Sequence, residues 1–184
     1  MTKQETLAKI LDCGVVAIIR MPDSEKLKKI AEAIHSGGVT AIEITMTTPN
    51  ALSVIEALSK SMGDVMQIGV GSVIDVMTVQ QAVSAGAQYI VSPVFKPEIV
   101  NAAHQMDVPC MPGCFTPTEI LAAYEAGADI IKVFPADVLG MKFIKGVKAP
   151  MPQLPLMPTG GVTPENAGDW IQSGACCVGV GSAL

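Results

Sequence analysis

The sequence of 184 residues lacks any apolar run long enough to cross a bilayer, and only 16% of its residues are charged. Uncharged apolar stretches such as Val15–Ile19 are far shorter than the roughly 20 residues that a transmembrane helix needs. The first residues, from Met1 to Glu5, do not show the charged and then apolar order of a signal peptide. These absences predict a cytoplasmic protein that has no membrane partner.

Basic clusters and metal-binding spacings are also missing. The net charge is −5, and no group of Lys and Arg is interleaved with aromatic residues, so we expect no nucleic-acid partner. No Cys-x-x-Cys motif occurs, and neither histidine stands at a spacing that would complete a metal site. The odd number of cysteines predicts free, reduced thiols, mostly buried, at Cys13, Cys110, Cys114, Cys176 and Cys177.

What the chain does contain is a regular alternation of short apolar runs with helical patterns. Eight runs rich in Ile and Val predict strands near Val15–Arg20, Ala41–Thr45, Met66–Val70, Tyr89–Ser92, Val108–Met111, Ile130–Phe134, Leu156–Pro158 and Cys176–Val180. Helices are predicted to begin near Ser24, Asn50, Asp75, Lys96, Thr116, Met141 and Thr163, with an extra helix near Lys3–Leu11.

Strands that alternate with helices pair in parallel through βαβ units. We therefore predict an α/β fold in which residues 1–184 form a single (β/α)8 barrel domain with an extra N-terminal helix. The chain ends at Leu184, soon after the eighth strand, so we expect either a fragment of a longer barrel or a C-terminally short barrel that lacks its eighth helix. With 49% hydrophobic residues and a mean hydropathy of +0.45, burial of surface in an oligomer is also expected.

A weak internal repeat locates a candidate site. Four similar segments each end a predicted helix with a glycine, at Gly38, Gly86, Gly127 and Gly174. Five residues beyond these glycines stand Glu43, Val91, Lys132 and Gly179. Alternate strands of a barrel supply the four side chains of one interior layer, so Glu43 and Lys132 are predicted to face each other. The next layer is predicted to hold Thr45, Pro93, Phe134 and Gly181.

A lysine and a glutamate inside a barrel can perform imine chemistry. Burial disfavours the ammonium ion, and a neutral Lys132 amine can attack a ketone to form a carbinolamine and then an iminium. The Glu43 carboxylate can carry the proton transfers, directly or through water. The alternative is a buried structural ion pair, which is often no more stabilising than apolar side chains.

Glycine-rich loops follow the seventh and eighth predicted strands. The loops at these places in (β/α)8 barrels commonly hold phosphate, which predicts a phosphate site at Gly160, Gly161, Gly181 and Ser182. Tight turns are the alternative explanation of each glycine pair. After the third strand, Gly69–Ser72 lacks the further glycine of a dinucleotide motif. Ser72 is predicted either to bind a substrate carboxylate or to cap the next helix.

The chain resembles the KDPG/KHG aldolases, which cleave 2-keto-3-deoxy-6-phosphogluconate (KDPG) or 4-hydroxy-2-oxoglutarate (KHG). Seven motifs carry the resemblance in the same order: Ile42–Thr45, Gly69–Val73, Val91–Pro93, Met111–Gly113, Ile131–Pro135, Pro158–Val162 and Val178–Ser182. The resemblance implies that Lys132 is the Schiff-base lysine and Glu43 the general acid/base. It also implies a homotrimer that uses no metal or organic cofactor and acts on a small, phosphorylated 2-oxo acid.

The resemblance further assigns substrate-binding residues. Ser72, Pro93 and Phe134 match positions at the pyruvyl group, next to Thr45, and Arg20 matches a basic residue near the anionic end of the substrate. Gly160, Gly161 and Ser182 match phosphate-binding positions. Thr47 stands where several members carry an arginine, and a threonine cannot make the bidentate, charged contact of a guanidinium. We therefore expect the substrate carboxylate to be bound differently here than in the members that have the arginine.

Together these features predict a class I aldolase, a carbon–carbon lyase that cleaves KDPG to pyruvate and glyceraldehyde 3-phosphate. Three alternatives stay open at this stage: cleavage of 4-hydroxy-2-oxoglutarate to pyruvate and glyoxylate, a phosphosugar isomerase or epimerase, and a barrel that binds phosphorylated ligands without catalysis. An isomerase would use acid/base groups without a covalent imine, so the predicted position of Lys132 argues against it.

Overall fold

The computed structural model describes residues 1–20 and 24–181. The predictions for Ser182 and for the end of the chain at Leu184 lie outside these residues. The helices of the described part are α1 (Lys3–Cys13), α2 (Ser24–Ser36), α3 (Ala51–Met62), α4 (Val76–Ser84), α5 (Pro97–Gln105), α6 (Pro117–Glu125), α7 (Ala136–Leu139), α8 (Met141–Lys148) and α9 (Ala167–Gln172). Its strands are β1 (Val15–Ile19), β2 (Ala41–Thr45), β3 (Gln67–Gly71), β4 (Tyr89–Val91), β5 (Cys110–Met111), β6 (Gly113–Cys114), β7 (Ile131–Val133), β8 (Leu156–Pro158) and β9 (Val178–Val180).

Most helix starts follow from local signals. Thr116 caps α6, where the sequence predicts a helix to begin, and forms a capping box with Glu119. The predicted start of the last helix at Thr163 is wrong, because α9 begins at Ala167. The side chain of Asn166 accepts a hydrogen bond from the Thr163 amide at 2.9 Å and donates one to the Gly161 carbonyl. These bonds hold residues 163–166 in a turn that precedes the helix.

The fifth predicted strand is split. Residue Pro112 has no amide hydrogen to donate, and it separates β5 from β6. Its carbonyl accepts a hydrogen bond from the Lys132 amide at 2.9 Å, which links β6 and β7 at this point. The predicted strand Cys176–Val180 is also shorter than expected, because both cysteines lie in a bend and β9 begins at Val178.

The strands form two parallel sheets. One sheet has six strands in the order β5-β4-β3-β2-β1-β9, and the other has three in the order β6-β7-β8. Every strand pairing in the described part of the chain is parallel, so the predicted α/β class is confirmed. An isolated parallel bridge between Thr159 and Gly179 connects the end of β8 to β9.

Apolar side chains cover both faces of the strands. Ile42 and Ile44 pack in a cluster with α3, and Ile131 and Val133 pack in a second cluster with α6 and α8. Alternation along a strand therefore turns the residues between them to the opposite face. A third cluster on that face joins both sheets and includes Ile10 of α1, so α1 covers this cluster where the strands begin.

Candidate active site

Glu43 lies in the middle of β2, a strand whose five residues are all buried. Its side chain is 1% exposed, and its carboxyl group lies against Gly71 of β3, where any side chain would overlap it. Burial raises the pKa of the Glu43 carboxyl, and the positive charges of Lys132 and Arg20 oppose this rise. Glu43 is therefore a buried carboxyl group that holds its proton more tightly than an exposed glutamate does.

Lys132 lies in β7, on the other sheet, and is 6% exposed. Its Nζ stands 5.0 Å from the centroid of the Phe134 ring, within the range of a cation–π contact. Ile131 and Val133 pack against helices, as Ile42 and Ile44 do, so Lys132 and Glu43 both point to the opposite, buried face of the strands. The positive charge of Lys132 lowers the pKa of the Glu43 carboxyl. Within residues 1–20 and 24–181, the two groups do not form a salt bridge shorter than 4.0 Å.

A cavity of about 310 Å³ opens beside Phe134 at the ends of β1, β8 and β9. It brings together five of the predicted site residues, which are Arg20, Phe134, Gly160, Gly161 and Gly181. Ile18, Thr159, Val162 and Gly179 complete its lining. Neither Glu43 nor Lys132 lines this cavity, but Phe134, which does, is the ring that Nζ of Lys132 approaches.

The glycine loop after β8 has an unusual backbone. Gly160 and Gly161 both have positive φ angles, of 102° and 69°, which other residues rarely adopt. Asp137 of α7 packs against both glycines, and its Oδ1 would lie 3.2 Å from a side chain on Gly160. The loop therefore presents consecutive backbone amides on a left-handed turn, and a carboxylate stands beside them. Since α9 begins at Ala167, the loop does not lead directly into a helix as predicted.

A second cavity, of about 340 Å³, also has Phe134 in its lining. It is lined by Pro93 together with Val94, Phe95, Gly113, Cys114, Phe115, Glu119 and Pro135. Pro93 and Phe134 thus share this cavity, and Phe134 belongs to both. The predicted apolar pair at the pyruvyl group is therefore in contact with the same space.

The remaining predicted residues stand at the ends of β2 and β3. The hydroxyl groups of Thr45 and Thr47 lie 2.8 Å apart, with Thr45 buried and Thr47 exposed. Ser72 follows β3 with a positive φ of 62°. It does not cap the next helix, because Asp75 is the N-cap of α4 and accepts a hydrogen bond from the Thr78 amide at 2.8 Å. None of these threonine and serine residues lines either cavity of the described chain.

The described residues contain no group of three His, Cys, Asp or Glu side chains arranged to hold a metal ion. They also contain no helix with the length and apolar character that a membrane span requires.

Comparison with known proteins decides the family. The sequence model described as KDPG and KHG aldolase matches residues 7–184. The chain belongs to the KDPG and KHG aldolase family. This confirms the resemblance that the seven motifs indicated.

Relatives of this aldolase family cover nearly the whole chain. The 2-dehydro-3-deoxy-6-phosphogalactonate aldolase of Escherichia coli (strain K12) is 34% identical over 171 residues, which are 92% of this chain and 83% of the relative. The 2-dehydro-3-deoxy-phosphogluconate aldolase of Pseudomonas aeruginosa is 34% identical over 170 residues, or 91% of this chain and 77% of that protein. A crystal structure of KDPG aldolase from Legionella pneumophila, with pyruvate captured as a covalent carbinolamine intermediate, matches with a TM-score of 0.88. That match has 30% identity and covers 96% of this chain and 86% of the other.

Two residues of the candidate site are not among those predicted from the sequence. Thr159 is buried and lines the 310 Å³ cavity, although only its neighbours Gly160 and Gly161 were singled out. Its position in the motif Pro158–Val162 is the signal that could have found it. Asp137 gives no local signal, because it meets the glycine loop only through the packing of α7 against residues 160 and 161.

Proposed function

We propose that this protein is a class I aldolase that cleaves KDPG to pyruvate and glyceraldehyde 3-phosphate through a Schiff base on Lys132. The observation that carries the proposal is the burial of Glu43 and Lys132 in one region, from two different sheets, next to a cavity. A buried amine and a buried carboxyl group with a raised pKa supply a nucleophile and an acid/base. The match to an aldolase family favours cleavage over an isomerase or a purely binding role.

The proposed reaction begins when the neutral amine of Lys132 attacks the C2 carbonyl carbon of the substrate. The resulting carbinolamine loses water and becomes an iminium ion. A base then removes the proton of the C4 hydroxyl, the C3–C4 bond breaks, and its electrons form an enamine while the aldehyde leaves. Protonation at C3 and hydrolysis of the imine release pyruvate. We propose that Glu43 receives and returns these protons, since its carboxyl group is buried and has a raised pKa.

We propose that the 310 Å³ cavity holds the phosphorylated end of the substrate. Arg20 supplies positive charge there, and Gly160, Gly161 and Gly181 supply backbone amides. Because the Asp137 carboxylate stands beside Gly160, the phosphate is expected nearer to Arg20 and Gly181. The role of Ser182 in the same site stays a prediction.

The pyruvyl group is proposed to lie beside Phe134, at the 340 Å³ cavity. Phe134 and Pro93 would provide its apolar surface, since they share the 340 Å³ cavity. Thr45, Thr47 and Ser72 would bind its carboxylate through hydroxyl groups at the carboxyl ends of β2 and β3. Neutral hydroxyl donors bind a carboxylate less strongly than a guanidinium does.

We also propose that the two sheets are parts of one closed (β/α)8 barrel in a single domain of residues 1–184. Two contacts support closure, namely the hydrogen bond from the Asp129 amide, just before β7, to the Cys110 carbonyl of β5 and the bridge between Thr159 and Gly179. The homotrimer and the cytoplasmic location stay predictions. Half-exposed apolar side chains such as Val94 and Phe115 support an oligomer.

Borohydride trapping tests the proposal. Incubation with pyruvate and borohydride is expected to add a stable pyruvyl group to the peptide that contains Lys132, as detected by mass spectrometry. Lys132→Met should abolish the label, while the control Lys60→Met, at an exposed lysine on α3, should keep it. An unlabelled wild-type protein, or a label that persists in Lys132→Met, would contradict the mechanism.

Cleavage of 4-hydroxy-2-oxoglutarate is the second candidate, and the Asp137 carboxylate beside Gly160 is the observation that favours it. This substrate carries no phosphate and needs no phosphate site. The ratio of kcat/KM for KDPG to kcat/KM for 4-hydroxy-2-oxoglutarate separates the two. A ratio well above one supports KDPG, and a ratio below one supports the second candidate.

A further inference from the structure

Tyr89 and Glu43 rest on the same face of β3. The end of the Tyr89 ring, at Cζ, Cε1 and Cε2, packs over Gly69, while the Glu43 carboxyl group packs over Gly71. These glycines are two positions apart on one strand, so they point to the same side and lie roughly 6–7 Å from each other. The phenol and the carboxyl group are therefore neighbours on a strip of backbone that carries no side chains.

Each of these two side chains has a polar atom that lacks a hydrogen-bond partner among the described residues. The Tyr89 hydroxyl and Oε2 of Glu43 are fully buried, and neither has a hydrogen-bond partner among the described residues. Oε1 of Gln67, another residue of β3, is in the same situation. Buried polar groups in folded proteins are nearly always hydrogen-bonded, to protein atoms or to ordered water. A site with several such atoms meets the requirement for a buried water, which needs two to four polar partners.

We propose that Tyr89 is a positioning residue for Glu43. Its hydroxyl donates a hydrogen bond to one bridging water, and that water donates a hydrogen bond to Oε2 of the carboxylate. The bond fixes the orientation of the carboxyl group and favours its ionised form. This inference rests on the proposed function, because Glu43 is the acid/base of that mechanism.

The place of Tyr89 in the fold excludes direct contact with substrate. Tyr89 is fully buried and belongs to the cluster that α1 covers through Ile10, where the strands begin. Both cavities lie beyond the other ends of the strands. Tyr89 can therefore act on the reaction only through Glu43, from the side away from the substrate.

The charges around the two groups agree with this role. The positive charges of Lys132 and Arg20 lower the pKa of Glu43, while Glu43, Cys177 and Cys13 are the titratable groups that raise the pKa of Tyr89. Burial raises the pKa of Tyr89 well above its usual value, and the charge of Glu43 acts in the same direction. The phenol therefore keeps its proton and remains a donor at every pH at which the protein works.

Tyr89→Phe tests the inference, because it removes only the hydroxyl. The matched control is Tyr124→Phe on α6, at the one other tyrosine of the chain, which is exposed. The first measurement is the pH dependence of the exchange of pyruvate methyl protons with deuterium, followed by NMR. The pH at which the exchange rate reaches half of its maximum is expected to be about one unit higher in Tyr89→Phe, because a hydrogen bond to the charged carboxylate is lost. It should not move in Tyr124→Phe.

The second measurement does not depend on activity. A ¹³C NMR titration of the Glu43 carboxyl carbon, assigned with Glu43→Gln, should show the same upward shift in Tyr89→Phe. An unchanged titration overturns the inference, even where exchange activity is intact. If the wild-type protein shows no exchange of pyruvate protons, but the Glu43 titration still differs between wild type and Tyr89→Phe, the proposed aldolase mechanism fails and the contact between Tyr89 and Glu43 stands.

A third variant covers the case in which Tyr89→Phe does not fold. Incorporation of 3-fluorotyrosine in the Tyr124→Phe background labels Tyr89 alone and makes its hydroxyl a stronger donor without changing the packing greatly. The Glu43 titration should then move downward, opposite to the shift in Tyr89→Phe. No shift, or an upward one, contradicts the proposed hydrogen bond.

Discussion

Gly71 and Glu43 are in direct contact: a methyl group on Gly71 would overlap Oε1, Cδ and Cγ of the glutamate. The contact is possible because β3 offers its bare backbone to the neighbouring strand β2 at this position. Glycine at residue 71 thereby sets where the carboxyl group of Glu43 can lie. The position of the proposed acid/base is thus determined by a residue that has no functional group of its own.

Gly71→Ala should displace the Glu43 carboxyl group and abolish most of the activity. We expect kcat for cleavage to fall by about 100-fold or more, in the range seen for loss of a general acid/base. Overpacking should lower the free energy of unfolding by about 1–3 kcal/mol. Steady-state kinetics and denaturant unfolding measure the two effects. Gly146→Ala in α8 is the control, because a side chain there meets nothing within 4 Å, and it should keep activity and gain up to about 1 kcal/mol of stability.

The raised pKa of Glu43 predicts how stability depends on pH. A carboxyl group whose pKa is higher in the folded state stabilises the fold below its unfolded pKa, and this contribution is lost as the pH rises through the folded pKa. From about pH 4.5, the usual value for glutamate, upward, wild-type protein should therefore lose stability relative to Glu43→Gln. The difference in free energy of unfolding between the two proteins should grow by about 1.4 kcal/mol per pH unit until Glu43 in the folded protein is ionised. Urea unfolding of both proteins across this range measures it, and parallel stability curves would contradict the raised pKa.

Phe134→Leu should weaken the reaction without unfolding the protein. The substitution removes the ring that stands 5.0 Å from Nζ of Lys132 and that lines both cavities. We expect kcat/KM to fall by about tenfold, which corresponds to roughly 1–1.5 kcal/mol. The control is Phe115→Leu, at a ring that lines only the 340 Å³ cavity, and its kcat/KM should change much less. Equal effects of the two substitutions would show that the ring of Phe134 acts only as an apolar wall.

Asp129 should be a major contributor to stability at the other end of the fold. Its carboxylate accepts hydrogen bonds from His104 Nε2 at 2.8 Å and the Cys110 amide at 2.9 Å, and it lies 3.0 Å from Lys3 Nζ. These contacts join α1, α5 and β5 at a side chain that is only 8% exposed. Asp129→Ala should lower the free energy of unfolding by about 2–3 kcal/mol, measured by denaturant unfolding. Removal of the exposed partner Glu56 of Lys60 should cause no measurable loss.

Local sequence signals predict much of the fold and the positions of Glu43 and Lys132 on two buried strands. The strands β2 and β8 have the bounds that their apolar runs predict, and the other predicted strand ends differ by at most two residues, apart from the break in the fifth strand. Glu43 and Lys132 were found because each stands five residues beyond a glycine that ends a helix. That spacing works because the residues between glycine and strand form the same turn in each repeat.

The features that escaped prediction depend on contacts between distant parts of the chain. Asn166 delays the start of α9 by bonding back to Gly161 and Thr163, and Asp137 meets the glycine loop from another helix. The contact of Tyr89 with Gly69 depends on the register between β3 and β4. Such contacts leave no periodic pattern in the sequence, because each is made by a pair of residues that meet only in the folded protein.

The location of Glu43 and Lys132 on two different sheets has a consequence for the order of events during refolding. The strand that bears the glutamate and the strand that bears the lysine lie in different sheets, which meet at the bridge between Thr159 and Gly179. Neither sheet alone contains both members of the proposed catalytic pair. During refolding, the capacity to label Lys132 with pyruvate should thus appear only when the two sheets have come together, later than the recovery of helical signal.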